Sequence, residues 1–231
     1  MGVYERFGKR MMDISLSLLG LVLLSPLLLL LAAVGTVAFS GNPLFTQLRP
    51  GRAERFFRLV KFRSMTDRRD SSGTLLPDEM RLTAYGRFLR KTSLDELPEL
   101  WNILLGEMSL VGPRPQLVRD MVFMTPQQRQ RHRVRPGLTG LAQVNGRNGI
   151  TWEEKLEFDR KYLEKITFRT DVRILLQTLK TVLSREGIGS ADRDTAEDLG
   201  DWLLQTGQIS PKEYRQKQKS AAELPEKEAV R

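Results

Sequence analysis

Hydrophobic and polar positions divide the chain into an anchor, a middle of short alternating elements and a polar tail. The stretch "ISLSLLGLVLLSPLLLLLAAVGTVAF", Ile14 to Phe39, contains no charged residue. At about 1.5 Å per residue it predicts a helix long enough to cross a bilayer core of about 30 Å. Ser25-Pro26 sits in its middle. Proline removes a donor and bends the helix at a depth where a bare carbonyl is costly, unless Ser25 or another group supplies the missing hydrogen bond. Basic residues flank both ends, with Arg6, Lys9 and Arg10 before the segment and Arg49, Arg52, Arg55, Arg58 and Lys61 after it. Positive flanks are retained on the cytoplasmic side, so a re-entrant hairpin accommodates both ends and a straight span only one. A cleaved leader is a third reading, disfavoured by the length of the run and the lack of a clean cleavage site.

Beyond the anchor, alternation predicts a β-hairpin, with Pro50-Gly51 turning between Leu44–Gln47 and Phe56–Phe62. Residues 67–80 are a polar loop, and Leu82, Tyr85, Phe88 and Leu89 recur at helical spacing in "RLTAYGRFLRKT". In "SLDELPELWNILLGEMSLVGPRP", 93–115, adjacent acids open an apolar helical run. Ser93 with Glu96 fits a capping box, and Asp95 fits an N-cap with Pro98 in the first turn; Trp101 and Leu104 read as core. Val172, Leu175, Leu176, Leu179, Val182 and Leu183 form a stripe in "FRTDVRILLQTLKTVLSR" that periodicity alone assigns to a globular core. In the last 44 residues, "AEDLGDWLLQTG" predicts a short helix with Leu199, Trp202 and Leu203 inward, and the rest is charged, helix-prone and frayed.

Composition narrows the chemistry. The 231 residues carry a formal charge of +9, no cysteine and a single histidine, His132. Disulfides, thiolate metal sites and thiol nucleophiles are excluded. His132 lies in "RQRHRVRPG", where positive neighbours disfavour imidazolium and no acid is close in sequence, so a catalytic role for it is not expected. Acid–base or nucleophilic work falls to carboxylates. Arg114, Arg135 and Arg147 occupy Gly/Pro-rich loops, where a guanidinium can be held rigidly toward an anion or simply be solvated. A membrane-tethered basic nucleic-acid-binding or scaffold protein is the alternative, weakened by low aromatic content and the absence of a continuous basic stripe.

The stretches "KFRSM" (61–65), "SLDELPELWNILLGEMSLVGPRP" (93–115), "RPGLTGLAQVNGRN" (135–148) and "DRKYLEKITFRTDVRIL" (159–175), in that order, resemble the bacterial sugar transferase family, the monotopic polyprenyl-phosphate phosphoglycosyl transferases. The resemblance spans about residues 3–187, with the chain similar to the family's small single-domain members. It implies transfer of a sugar-1-phosphate from a UDP-sugar to polyprenyl phosphate at the cytoplasmic face of the bacterial plasma membrane, with release of UMP and no nucleic-acid partner. Asp95 would be the nucleophile and Glu96 its partner in proton or metal handling, with Mg²⁺ beside both. Arg90, Arg114 and Arg147 would contact phosphate, supported by Lys61 and Arg135. The implied fold is α+β: a re-entrant membrane helix over 1–40 broken at Ser25 and Pro26, then a compact, mostly helical catalytic domain over 41–187 with a small hairpin and interface-lying amphipathic helices. The resemblance thereby implies that the apolar stripe over 172–183 is shared between the protein core and a lipid surface. A C-terminal extension over 188–231 matches no shared motif. The shared motifs select neither the sugar nor an oligomeric state.

Overall fold

The computed structural model describes residues 2–146, 149–184 and 197–229. A π-turn at Tyr4–Gly8 leads into α1 (Lys9–Phe39), followed by the antiparallel pair β1 (Leu44–Pro50) and β2 (Phe56–Phe62). Then come α2 (Asp78–Arg81), α3 (Ala84–Thr92), a 3₁₀ turn at Leu94–Glu96, α4 (Glu99–Leu105) and β3 (Ser109–Val111). After α5 (Val118–Met121), strand β4 (Gly137–Thr139) pairs parallel with β3, and α6 (Leu141–Val144), α7 (Trp152–Glu164), α8 (Phe168–Ser184), α9 (Leu199–Gln205) and α10 (Pro211–Ala229) follow. The fold is α+β, with helices dominating two small sheets.

The hairpin forms as the alternation predicts: Phe57, Leu59 and Phe62 are buried while Arg58 is exposed. Phe57 and Leu59 join Leu100, Ile103, Met108, Tyr162 and Ile174 in the main core, and Phe62 joins Leu89 and Leu31 in a second cluster against α1. Two apolar assignments change. Phe88 and Trp101 are more than half exposed, because nothing among the described residues covers those faces of α3 and α4. On α8, Ile174 is buried, Val172 and Leu175 are partly covered and Leu176 and Leu179 are exposed, so part of the stripe packs against protein and part does not. Burial of Leu183 lies outside the described residues.

Helical bonding in α1 runs through Pro26, so the expected helix–break–helix is one helix here. The cause is local: Ser25 Oγ donates at 2.8 Å to the carbonyl of Val22, four residues before the proline. Along its length α1 lies against the domain. Arg10 donates to the carbonyls of Ile103 and Leu104, Asp13 accepts from the Leu110 N–H and the Ser109 hydroxyl, and Tyr85 donates to the carbonyl of Leu31. Lys9, its Nζ 2.6 Å from Asp171, completes the anchorage; Asp171 also accepts from Tyr4 and Tyr162. The tail is more ordered than expected, since α10 packs through Tyr214 and Ala221.

Candidate functional site

Two strained or close-packed backbone points place the adjacent acids. Helix α3 ends on Ser93 with φ +55°, a left-handed conformation costly for a residue with a Cβ, which turns the chain sharply into Leu94–Glu96. Neither that turn nor α4 has a side-chain cap, so the capping assignments for Ser93, Asp95 and Glu96 do not hold. The second point is Gly86, where a Cβ would lie 1.8 Å from the Ser64 carbonyl oxygen. Only glycine lets α3 press onto the chain leaving β2, and one turn later Arg90 Nε reaches Ser64 Oγ at 3.1 Å and Nη2 reaches Met65 Sδ at 3.3 Å.

Asp95 is 7% exposed. Burial and the neighbouring Glu96 push its carboxyl up, while Lys61, Arg114 and Arg90 pull it back down. Burial pushes Lys61 down, opposed by Asp95 and Glu96, and the ammonium lies 5.7 Å from the Phe45 ring centre. Arg114 Nη2 meets Glu96 Oε1 at 2.5 Å and raises itself further above its ordinary value by that pairing. On balance Asp95 stays raised, with three cations acting on it and one of them, Arg114, paired to Glu96, so the local positive charge only partly offsets the acids.

Arg135 is placed elsewhere: its Nε donates at 2.7 Å to the carbonyl of Gly106, at the far end of α4 beside Arg10. Arg147 lies outside the described residues. His132 does have an acid beside it, contrary to the sequence reading, since Glu54 Oε1 is 3.2 Å from its Nδ1. Burial and Arg131 nevertheless lower it to about 4, so the ring is neutral at pH 7.

Two residues were missed. Asn102, buried inside α4, accepts from the Val60 N–H and donates to the Arg58 carbonyl, locking the acid-bearing segment to the strand that carries Lys61. Its polar side chain within an apolar run was the available signal. Glu99, 4% exposed, is pushed well up by burial and then by Glu96. Among the described residues no three acids or histidines converge into a ready metal cage. The adjacent pair supplies hard oxygen donors, which fits an ion such as Mg²⁺ that takes one or two carboxylates and completes its shell with water and phosphate.

A family model described as bacterial sugar transferase matches residues 4–185. Over 189 residues, 82% of this chain, the sequence is 47% identical to an uncharacterized sugar transferase, EpsL, of Bacillus subtilis (strain 168), covering 94% of that protein. A UDP-glucose:undecaprenyl-phosphate glucose-1-phosphate transferase of Klebsiella pneumoniae is 39% identical over 186 residues, 74% of this chain and 39% of that protein. An undecaprenyl-phosphate galactose phosphotransferase of Salmonella typhimurium (strain LT2) is 38% identical over 203 residues, 79% of this chain and 42% of that protein. The chain thus spans nearly all of the Bacillus relative and about two fifths of the two larger ones.

Proposed function

Since this chain belongs to the bacterial sugar transferase family, we propose that it moves a sugar-1-phosphate from a UDP-sugar to a polyprenyl phosphate such as undecaprenyl phosphate, with Asp95 as nucleophile. The observation that carries this reading is the buried, uncapping Asp95 carboxylate with Lys61, Arg90 and Arg114 around it. A carboxylate oxygen of Asp95 bonds to the sugar-bearing phosphorus as the phosphorus–oxygen bond to UMP breaks. An oxygen of the lipid phosphate then attacks the same phosphorus and expels the Asp95 carboxylate. Lys61 and the two arginines offset the repulsion between carboxylate and diphosphate. Mg²⁺, held by Asp95 and Glu96, would supply further neutralisation of phosphate charge. Arg147 remains a proposed phosphate contact from its motif, and Arg135 acts by fixing the end of α4.

The lipid acceptor requires a site near the membrane surface. Helix α1 is long and apolar enough to cross a membrane, yet it touches the same domain from Arg10 to Leu31, about 30 Å at 1.5 Å per residue. A perpendicular span would carry the polar segments beside it into hydrocarbon, which supports re-entry with both ends on the cytoplasmic side of the plasma membrane. Exposed Phe168, Leu176 and Leu179 on α8, with Phe168 against Tyr4, extend an apolar surface next to the start of the anchor. The test is a panel of UDP-sugars with undecaprenyl phosphate, read as UMP release and as label in the organic-extractable lipid. Transfer from one sugar donor is expected; no transfer from any of them would overturn the reading.

A further inference from the structure

Beyond the family match, which ends at residue 185, the chain is folded back onto the loop that carries Arg114. The link is Asp120, fully buried, whose Oδ2 accepts the N–H of Leu117 at 3.1 Å and whose Oδ1 accepts the N–H of Leu199 at 2.9 Å. One carboxylate thus closes the start of α5, three residues after Arg114, and the start of α9. Burial pushes it up to about 6, which leaves it ionised at neutral pH with both oxygens as acceptors. Arg119 pairs with Asp198, and Trp152 Nε1 donates to the Glu197 carbonyl at 2.9 Å. Gly200 sits where a Cβ would lie 2.6 Å from the Phe123 ring, and Tyr214 and Lys217 of α10 cover that ring's other contacts.

The same loop is held on its other side by backbone contacts. Arg131 donates to the carbonyl of Arg114 at 2.8 Å, and Arg49 donates to that of Pro115 at 3.1 Å. Arg114 itself is 47% exposed at the side chain. A long, half-exposed guanidinium holds an anion in one place only when its backbone is fixed, because its own rotamer freedom is large.

We propose that α9 and α10 are a brace for the Arg114 loop, with Asp120 and Asp198 as positioning residues that set how tightly the site holds the diphosphate of a nucleotide-sugar. The proposal rests on the function put forward above and adds to it the part of the chain that the family match leaves out. It predicts a defect in nucleotide binding from changes far from the acids.

Full-length protein in detergent is compared with Gly200→Val, which drives a side chain into Phe123, and with Asp198→Ala, a milder change that keeps the test open if the first variant fails to fold. Three quantities are read: amide exchange across residues 113–124, the affinity for UDP with Mg²⁺, and KM and kcat for the UDP-sugar. Exchange is expected to quicken about tenfold or more, and UDP binding to weaken about tenfold. KM for the UDP-sugar should rise with KM for undecaprenyl phosphate unchanged, and Asp198→Glu should recover most of the affinity. Unchanged exchange, or quickened exchange with unchanged UDP affinity, would overturn the brace. Wild-type protein that neither binds UDP nor transfers from any UDP-sugar would instead overturn the function it rests on, and the proposal with it; that failure shows in the wild-type arm alone.

Discussion

The Ser25 hydroxyl lies 2.8 Å from the carbonyl oxygen of Val22, the acceptor whose helical N–H partner Pro26 has removed. A serine placed one residue before a proline satisfies the carbonyl the proline leaves bare, while the ring still crowds that turn of the helix. Ser25→Ala is expected to leave that carbonyl bare in apolar surroundings and to cost about 1–3 kcal/mol, read as a lower Tm in detergent. Pro26→Leu restores the backbone bond and should favour a straight span. Cysteines at Gly2 and Gly41, both in open positions, should label equally from one side in the wild type and unequally in Pro26→Leu; unequal labelling in the wild type would exclude re-entry.

Asp95→Asn separates structure from chemistry. Asp95 caps no helix, and burial with Glu96 beside it disfavours its charge, so the amide should leave Tm unchanged or slightly higher. Activity should collapse. Wild-type protein given UDP-sugar without lipid acceptor should gain the mass of one sugar phosphate on the peptide containing Asp95, and the variant should gain none.

Gly86→Ala tests how Arg90 is aimed. The added Cβ meets the Ser64 carbonyl and must push α3 away from β2, so both stability and turnover should fall. Arg90→Lys keeps the packing and loses the guanidinium fork. Its Tm should stay near wild type while turnover drops about 10- to 100-fold, in line with a lost charge contact of roughly 1.4–2.7 kcal/mol.

Removal of divalent metal by EDTA should abolish transfer, and Mg²⁺ should restore it, because two adjacent carboxylates hold an oxygen-seeking ion only weakly without phosphate. Full turnover in metal-free buffer would take the ion out of the reaction.

His132 predicts a pH dependence. Its folded value, lowered to about 4 by burial and then by Arg131, lies below the ordinary 6.5, so the unfolded chain binds the extra proton first. Stability from this group is complete above pH 6.5 and is lost as pH falls toward 4. His132→Gln should therefore flatten the slope of unfolding free energy over that window by up to about 3 kcal/mol in total, measured by denaturant titration at several pH values.

Legibility followed the range over which the chain acts on itself. The two hairpin strands, the apolar anchor and the amphipathic α8 are legible because each follows from periodicity within one element, whereas the turn is not: Pro50 pairs with Phe56, so the chain turns over 51–55 and not at Pro50-Gly51. The turn carrying Asp95 was read as a capped helix because a left-handed Ser93 is set by where α3 must stop, which local pattern does not record. Trp101 was assigned to the core on its type alone, yet exposure depends on what lies opposite. Glu54 and His132, 78 residues apart, and Asp120 and Leu199, 79 apart, meet only once the fold has formed. The site's cations were named from their motif, while their placement needed the glycine contact at Gly86 and the Asn102 clasp.

The pairing of Lys9 with Asp171 gives the chain an order of events during its own synthesis. The two residues are 162 positions apart, so at about 5–20 residues per second the ribosome needs roughly 8–32 s to deliver the partner after Lys9 has emerged. Throughout that interval the ammonium lacks this partner and is one of the basic charges that flank the start of the anchor. Once Asp171 arrives with Tyr162, the same charge is withdrawn from water and becomes a fastening between anchor and enzyme. The same lysine thus belongs to the anchor's basic flank from the outset and becomes a latch to the domain only once residue 171 has been made.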